Sequence, residues 1–201
     1  GVDSSPVAVA VAEAALWMFV GDPSRPLLAS EHFKCADALF GKGFAEQVID
    51  SKPLAATAPF HFPEEFAEAF TSPSQGFDWV VGNPPWVAFQ GRATQKISAE
   101  RRAYYRGHFR AFRGYPTLHG LFIERATQLA PRGVITLLVP SSVSDLEGYR
   151  FARQVVDASH QVTEPLLEFG QDAFEGVVQP CVGLVARARE VHLTGPSSRP
   201  W

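Results

Sequence analysis

Cysteine is scarce in this chain. Cys35 and Cys181 are the only two among 201 residues, with no Cys-x-x-Cys pair and no Cys/His spacing of a zinc site. No disulfide framework can underlie the fold, and both read as reduced structural thiols of a cytosolic protein. The six histidines do not cluster either, and no metal is expected. An excess of one charge is also missing. Eighteen Lys and Arg stand against 21 Asp and Glu, a formal charge of −3, so any polyanionic partner must be argued from local patches. A long apolar run is missing too. Val7–Val20 is the best candidate, but Glu13 interrupts it and it is too short to span a bilayer. No basic segment precedes it, so it is not a signal peptide. There are no internal repeats. What remains is a globular composition, 46% hydrophobic and 19% charged, long enough for one α/β domain with a sizeable core.

Phe77-Asp78-Trp79-Val80-Val81-Gly82-Asn83-Pro84-Pro85-Trp86 is the most informative stretch. Phe77–Val81 is rich in β-branched and aromatic residues and predicts a buried strand that stops at Gly82. Asn83 precedes a proline and is pushed towards extended backbone. Pro84 and Pro85 lack N–H groups and have fixed φ. The loop is therefore stiff, with the Asn83 amide oxygen and the Pro84 carbonyl as two acceptors and Trp86 as a flat stacking face. Such a set suits the holding of a planar, amine-bearing ring.

At this point the chain resembles the S-adenosylmethionine-dependent amino-methyltransferases, whose fourth motif is Asn/Asp/Ser-Pro-Pro-Tyr/Phe/Trp. The Asn form resembles the adenine-N6 DNA methyltransferases of restriction–modification systems. The opening Gly-Val-Asp-Ser-Ser-Pro-Val-Ala-Val, followed by Leu16-Trp17, is similar to their second motif. The resemblance implies that Asp3 accepts from the two ribose hydroxyls of the cofactor. Asp37-Ala38-Leu39 resembles the third motif, which implies that Asp37 accepts from the adenine amine and that Ala38 lies against the ring. Asn83, Pro84, Pro85 and Trp86 are then the catalytic residues, with Asn83 also beside the cofactor. Read alone, Asp3 and Asp37 are equally compatible with turns at strand ends. Thr117-Leu118-His119 stands where the family has Asp-Leu-Tyr, so any role of that acid is in doubt here. Val139-Pro140-Ser141-Ser142 and Phe174-Glu175-Gly176-Val177 resemble later family motifs. Phe174 reads either as a second face of the base pocket or as a lid on the core.

After the loop comes the only basic cluster, Arg92, Lys96, Arg101, Arg102, Arg106, Arg110 and Arg113, interleaved with aromatics. Ser98 predicts a helix to about Phe112, on which Arg102, Arg106, Arg110 and Arg113 share one face. The ridge is compatible with DNA phosphate contacts or with a solvated surface helix over an aromatic underside. Helices are further predicted over Pro6–Phe19, apolar all round and hence covered on both sides, and over Pro63–Phe70, Thr117–Leu129 and Asp145–Asp157. Strands are predicted over Val134–Val139, Thr163–Phe169 and Val177–Ala186. His119 reads as a partly exposed helix residue.

The alternation of strands and helices predicts an α/β fold, and the resemblance specifies it. It implies a three-layer, Rossmann-like methyltransferase fold with a mainly parallel sheet and one antiparallel strand late in the order. The catalytic core would cover residues 1–190, with an insertion about 41–76, and 191–201 would be a linker. The implied reaction is methyl transfer from S-adenosylmethionine to N6 of a flipped adenine in DNA, within a larger restriction–modification or phage-defence protein of the prokaryotic cytoplasm. Protein glutamine or RNA as the methyl acceptor, and a non-catalytic DNA-binding module, are the alternatives. The family's first strand and its Asp-Pro-x-x-Gly-x-Gly loop have no counterpart in these residues. The expectation is therefore a core lacking its first strand, with a missing N-terminal segment and a separate target-recognition domain as partners.

Overall fold

Strand β1 (Val2–Asp3) ends at Ser4, and Ser5 starts helix α1 (Pro6–Val20) in the computed structural model, which describes residues 1–21, 32–40, 60–71, 75–91, 94–170, 174 and 178–189. The Ser5 hydroxyl accepts the Ala8 N–H at 3.3 Å and Pro6 sits in the first turn, where its missing N–H costs nothing. Gly21 closes the helix with a left-handed φ of 67°. Strand β2 (Lys34–Cys35) runs parallel to β1, with Asp3 opposite Cys35. Phe60 meets Phe62 edge-on at 4.8 Å, and Phe62 stacks on Phe66 at 6.1 Å. These elements make up one compact unit, Gly1–Ala67. Helix α1 departs from its expectation. None of its residues is buried, and Phe19 is 88% exposed. An apolar composition calls for cover but does not supply it, and the main described neighbours of α1 are the two short strands.

A second unit, Glu68–Trp201, is built on a five-stranded sheet. Strand β3 (Trp79–Gly82) pairs in parallel with β4 (Val134–Pro140), Trp79 opposite Val134 and Gly82 opposite Leu137. Strands β5 (His160–Val162) and β6 (Leu167–Gly170) lie along one edge of β7 (Cys181–Ala188), and β4 lies along the other. All three are antiparallel to β7. Four strands therefore run one way and β7 alone runs the other. Strand direction is mainly parallel with one reversed strand late in the order, as predicted, while the ladders around β7 make the sheet mixed.

Helices α2 (Ala99–His108), α3 (Leu118–Leu129) and α4 (Arg150–Ser159) complete the unit. Ile123 and Ala126 of α3 and Ala152 and Val156 of α4 pack with Ile135, Leu137, Val139, Leu184 and Ala186 into one core. On β3 only Val80 joins that face, while Trp79 and Val81 are 63% and 74% exposed. The predicted buried strand is thus buried on one side alone. Among the described residues β4 is its single partner.

Several boundaries moved for local reasons. The stretch predicted as one helix over Pro63–Phe70 breaks at Phe66, which leaves helical backbone (φ −132°, ψ 50°) to pack with Phe60 and Phe62, while Phe70 meets Phe77 at 5.5 Å. The helix from Ser98 ends at His108. Phe109 turns extended so that its ring is buried, and Arg110–Phe112 form a separate 3-10 turn. The predicted Asp145–Asp157 helix starts at Arg150 instead, after the short turns Ser142–Asp145 and Glu147–Tyr149. Of the strand expected over Thr163–Phe169 only Leu167–Phe169 is strand, within β6; β5 ends before it at Val162, and Pro165, which has no N–H to give a ladder, lies in the gap. Arg92, Glu175–Val177 and most of the insertion about 41–76 lie outside the described residues, as does the tail 191–201.

Candidate active site

The parallel pairing of β3 with β4 sets the Asn83-Pro84-Pro85-Trp86 loop at the carboxyl end of β3, beside the end of β4. Ligands of open α/β sheets bind at such carboxyl edges. Asn83 is exposed, and its side chain has no hydrogen-bond partner among the described residues. Pro84 is buried and Pro85 is exposed. With two prolines in succession the loop has few donors of its own, so it is fastened by its neighbours. Val87 N–H donates to the Pro85 carbonyl at 2.9 Å, and Trp86 Nε1–H donates to the Leu138 carbonyl of β4 at 3.2 Å. The indole is thereby fixed in one orientation. Phe174 stands edge-on to it, with ring centroids 6.0 Å apart and an interplanar angle of 76°. The structure thus brings Phe174, itself 38% exposed, to the loop.

Downstream, the chain is stitched to the start of α3. Phe89 N–H donates to Pro116 O at 3.0 Å, and Leu118 N–H donates to Val87 O at 2.8 Å. Thr117, at the position of the family acid, is fully buried and caps α3, its hydroxyl accepting Gly120 N–H at 3.1 Å. Its role is structural.

Four residues beyond Trp86, Gln90 lines a cleft of about 350 Å³ together with Arg102, Arg106, Phe112 and Arg113. Tyr115 Oη–H donates to the Gln90 carbonyl at 3.1 Å and holds that segment at the rim. The helix break at Phe109 decides which arginines meet. Arg102 and Arg106 project from α2, Arg113 follows the 3-10 turn, and Arg110 is left outside the cleft. None of these four guanidinium groups pairs with a carboxylate among the described residues. Beneath them Phe89, Tyr105 and Phe112 pack at centroid distances of 5.5–6.1 Å, the aromatic underside that the sequence predicts.

In the unit Gly1–Ala67, the β1–β2 pairing puts Asp3 and Asp37 at one carboxyl edge. Asp3 is exposed. One of its carboxylate oxygens accepts Ser5 N–H at 2.7 Å, which leaves the other for a ligand hydroxyl. Asp37 is half-buried, and its Oδ1 accepts Leu39 N–H at 3.0 Å, with Ala38 between them. Both carboxylates are oriented by backbone donors, and as acceptors they fit the hydroxyls of a ribose diol and the amine of an adenine.

His119 is the residue that sequence reasoning misplaced. It is buried, 3% exposed, with Nε2 3.1 Å from Tyr149 Oη. Burial pushes its pKa down to about 4, against a smaller opposing effect of the Pro85 carbonyl. The imidazole is neutral at pH 7 and unsuited to act as a general base. The apolar spacing Leu118, Leu121, Phe122, Ala126 hid this. Helix α3 is buried over much more of its girth, including Glu124, which accepts Ala111 N–H at 2.8 Å.

One reversed strand among five, with the Asn83–Trp86 loop at a carboxyl strand end, is the strand pattern of a Rossmann-like methyltransferase fold. The chain belongs to the Eco57I restriction-modification methylase family, whose pattern it matches over residues 1–174. It is similar also to a crystal structure described as that of a class I S-adenosylmethionine-dependent methyltransferase from Listeria monocytogenes. That likeness has 17% identity and a TM-score of 0.47, over 60% of this chain and 34% of that one. The chain thus spans about a third of that protein's length. Among the described residues no helix is long and apolar enough to cross a membrane, and no group of His, Cys, Asp and Glu could hold a metal ion.

Proposed function

We propose that this chain carries the methyl-transfer site of an adenine-N6 DNA methyltransferase. The observation that carries the reading is the rigid Asn83–Trp86 loop, with an unpartnered amide at its head and a cleft of three unpaired arginines four residues further on. S-adenosylmethionine supplies an electrophilic methyl group when bound, and Asp3, Asp37 and Ala38 are the residues we assign to its ribose and adenine. The Asn83 side-chain oxygen and the Pro84 carbonyl accept the two N–H bonds of the target amine. That draws the nitrogen towards a pyramidal shape with its lone pair free, which is orientation together with electrostatic preorganisation. Trp86 and Phe174 bound the pocket into which the base turns from its stack. Arg102, Arg106 and Arg113 neutralise phosphates beside it, and Arg110 adds a contact at the margin. The amine loses its proton only after the methyl has arrived, so no strong base is needed.

We read residues 1–190 as parts of one catalytic core and the edge of β3 that no described strand pairs as the place for the strand that carries the glycine loop. A target-recognition domain belongs to the whole protein, in a prokaryotic cytoplasm. The deciding experiment offers plasmid DNA, RNA and protein to the full-length enzyme with methyl-labelled cofactor. Label in DNA, recovered as N6-methyladenine, is the expected result. Label in protein or RNA alone would overturn the choice of substrate. Calorimetry with the cofactor on the isolated 201 residues tests the glycine-loop argument, for which very weak binding is expected and micromolar binding would refute it.

A further inference from the structure

The arginine cleft holds one side chain that the proposed reaction does not use. Gln90 lines it together with Arg102, Arg106, Arg113 and the buried ring of Phe112. The arginines are donors alone, and their forked guanidinium groups suit phosphate oxygens. The Gln90 amide carries both a donor and an acceptor, and no other side chain lining the cleft does. It is exposed and makes no hydrogen bond among the described residues. The main chain that carries it is fixed. Phe89, just before it, is buried, and its N–H donates to Pro116 O at 3.0 Å. The Gln90 carbonyl accepts Tyr115 Oη–H at 3.1 Å, and the Tyr115 ring packs edge-on against Tyr149 at 5.6 Å. Gly91 follows with φ 96°, and a Cβ there would lie 3.1 Å from the Tyr115 hydroxyl. Glycine lets the chain turn at that point without crowding Tyr115. The result is an open amide on an anchored backbone, which loses little chain freedom when it meets a ligand.

We propose that Gln90 is a specificity-determining residue, its amide reading the edge of an adenine close to the target base while the three arginines hold that nucleotide's phosphate. This rests on the proposed function. Four residues of chain separate Trp86 from Gln90 in number and reach at most about 14 Å. At about 3.4 Å per nucleotide, the base that is read lies within about four steps of the one that Trp86 bounds. The chemistry of the amide selects the base. In the major groove adenine presents an acceptor, N7, beside a donor, the N6 amine. The Gln90 NH2 matches the first and its oxygen the second. Guanine offers two acceptors there, thymine an acceptor and a methyl group, and cytosine a donor alone. A guanidinium group accepts nothing, so none of the three arginines makes this distinction.

The test lets the full-length enzyme methylate a pool of duplexes randomised at four positions on each side of the target adenine, with the methylated molecules sequenced. The wild type should prefer adenine at one of those positions. Gln90→Ala removes the amide, and Gln90→Met keeps its reach without the polar atoms. Both should reduce that preference about tenfold and leave the other positions as they were. Arg102→Ala, which removes a phosphate contact, should instead lower methylation about equally across the pool. Because the Gln90 side chain is exposed, both of its variants should unfold at the wild-type temperature. An unchanged sequence pattern in the two Gln90 variants would overturn the proposal. So would a uniform fall like that of Arg102→Ala, which would make Gln90 one more phosphate contact, or a lost preference for a base other than adenine. If DNA is methylated and Gln90 changes nothing, this inference alone falls. If no DNA in the pool is methylated, the proposed function falls with it.

Discussion

Acid should weaken this fold through His119, by an amount that follows from its burial. The side chain is 3% exposed and its pKa is pushed down to about 4, whereas an unfolded histidine titrates at 6.5. Between these values the unfolded chain binds the extra proton and the folded chain does not. Stability is therefore complete above about pH 6.5 and is lost as the pH falls towards 4. The gap of about 2.5 units corresponds to ~3 kcal/mol, of which ~2.5 kcal/mol is gone by pH 4.5. That is a large part of the stability of an ordinary domain. His160, fully buried with Nε2 3.0 Å from the Ala130 carbonyl, is shifted in the same direction by burial and adds to the slope. Urea unfolding from pH 8 to pH 4.5, on the wild type and on His119→Asn, separates the two, because His160 is common to both. The wild type should lose ~2.5 kcal/mol more than the variant over that range. The variant's absolute stability is irrelevant, since the comparison is between slopes. Parallel pH profiles would refute the reasoning and show that water reaches the ring.

Other expectations follow from the same geometry. Asn83→Ala should abolish methyl transfer by the full-length enzyme while leaving its unfolding midpoint in place, because the side chain is exposed and bonds to nothing described; near-normal turnover would remove Asn83 from catalysis. Alanine at Arg102, Arg106 and Arg113 together should flatten the salt dependence of DNA binding by about 0.9 in logarithmic slope per lost phosphate contact, and Arg110→Ala should do less because it lies outside the cleft. An unchanged slope in a binding titration would leave these arginines as ordinary surface. Trp86→Ala should weaken binding of DNA carrying a flippable adenine more than binding of cofactor, and equal losses by calorimetry would mark Trp86 as core. Thr117→Ala should lower stability by about 1 kcal/mol through loss of the α3 cap, measured by denaturant unfolding.

What the sequence made legible was chemistry tied to local stereochemistry. Ser5 and Pro6 start α1, and Gly82 followed by Asn-Pro-Pro turns β3 into a loop, each for reasons contained in a few residues. The direction of β7 was legible through resemblance alone, since no local feature of Cys181–Ala188 records which way its partners run. The arginine ridge was half legible. Helical spacing put four side chains on one face, but the path of the chain at Phe109 depends on tertiary burial of an aromatic ring under the Arg125 guanidinium, 5.0 Å from its centroid. His119 was not legible. A histidine at the third position of a predicted helix looks exposed until Tyr149, thirty positions away in sequence, supplies the partner that allows it to be buried.

The site also depends on how β3 is held at its other end. Phe77 N–H donates to Leu129 O at 2.8 Å, and Val134 N–H donates to Asp78 O at 2.9 Å. At this end the backbones approach so closely that a Cβ on Gly133 would lie 2.5 Å from the carbonyl oxygens of Phe77 and Asp78. Only glycine allows that approach. Gly133→Ala should therefore cost about 1–3 kcal/mol, because backbone and not a flexible side chain must move. The displaced segment is the root of β3, and four residues separate Asp78 from Asn83. A shift there tilts the strand whose far end aims the two amine acceptors. The variant should lose kcat beyond what its unfolded fraction explains, whereas Thr117→Ala, which leaves the β3 root untouched, should lose activity only in proportion to unfolded protein. Rates measured at a temperature where both variants are fully folded distinguish the cases. Full activity of Gly133→Ala under those conditions would show that the loop is aimed by its own anchors, Trp86 to Leu138 and Val87 to Pro85, and that the base of the strand contributes stability alone.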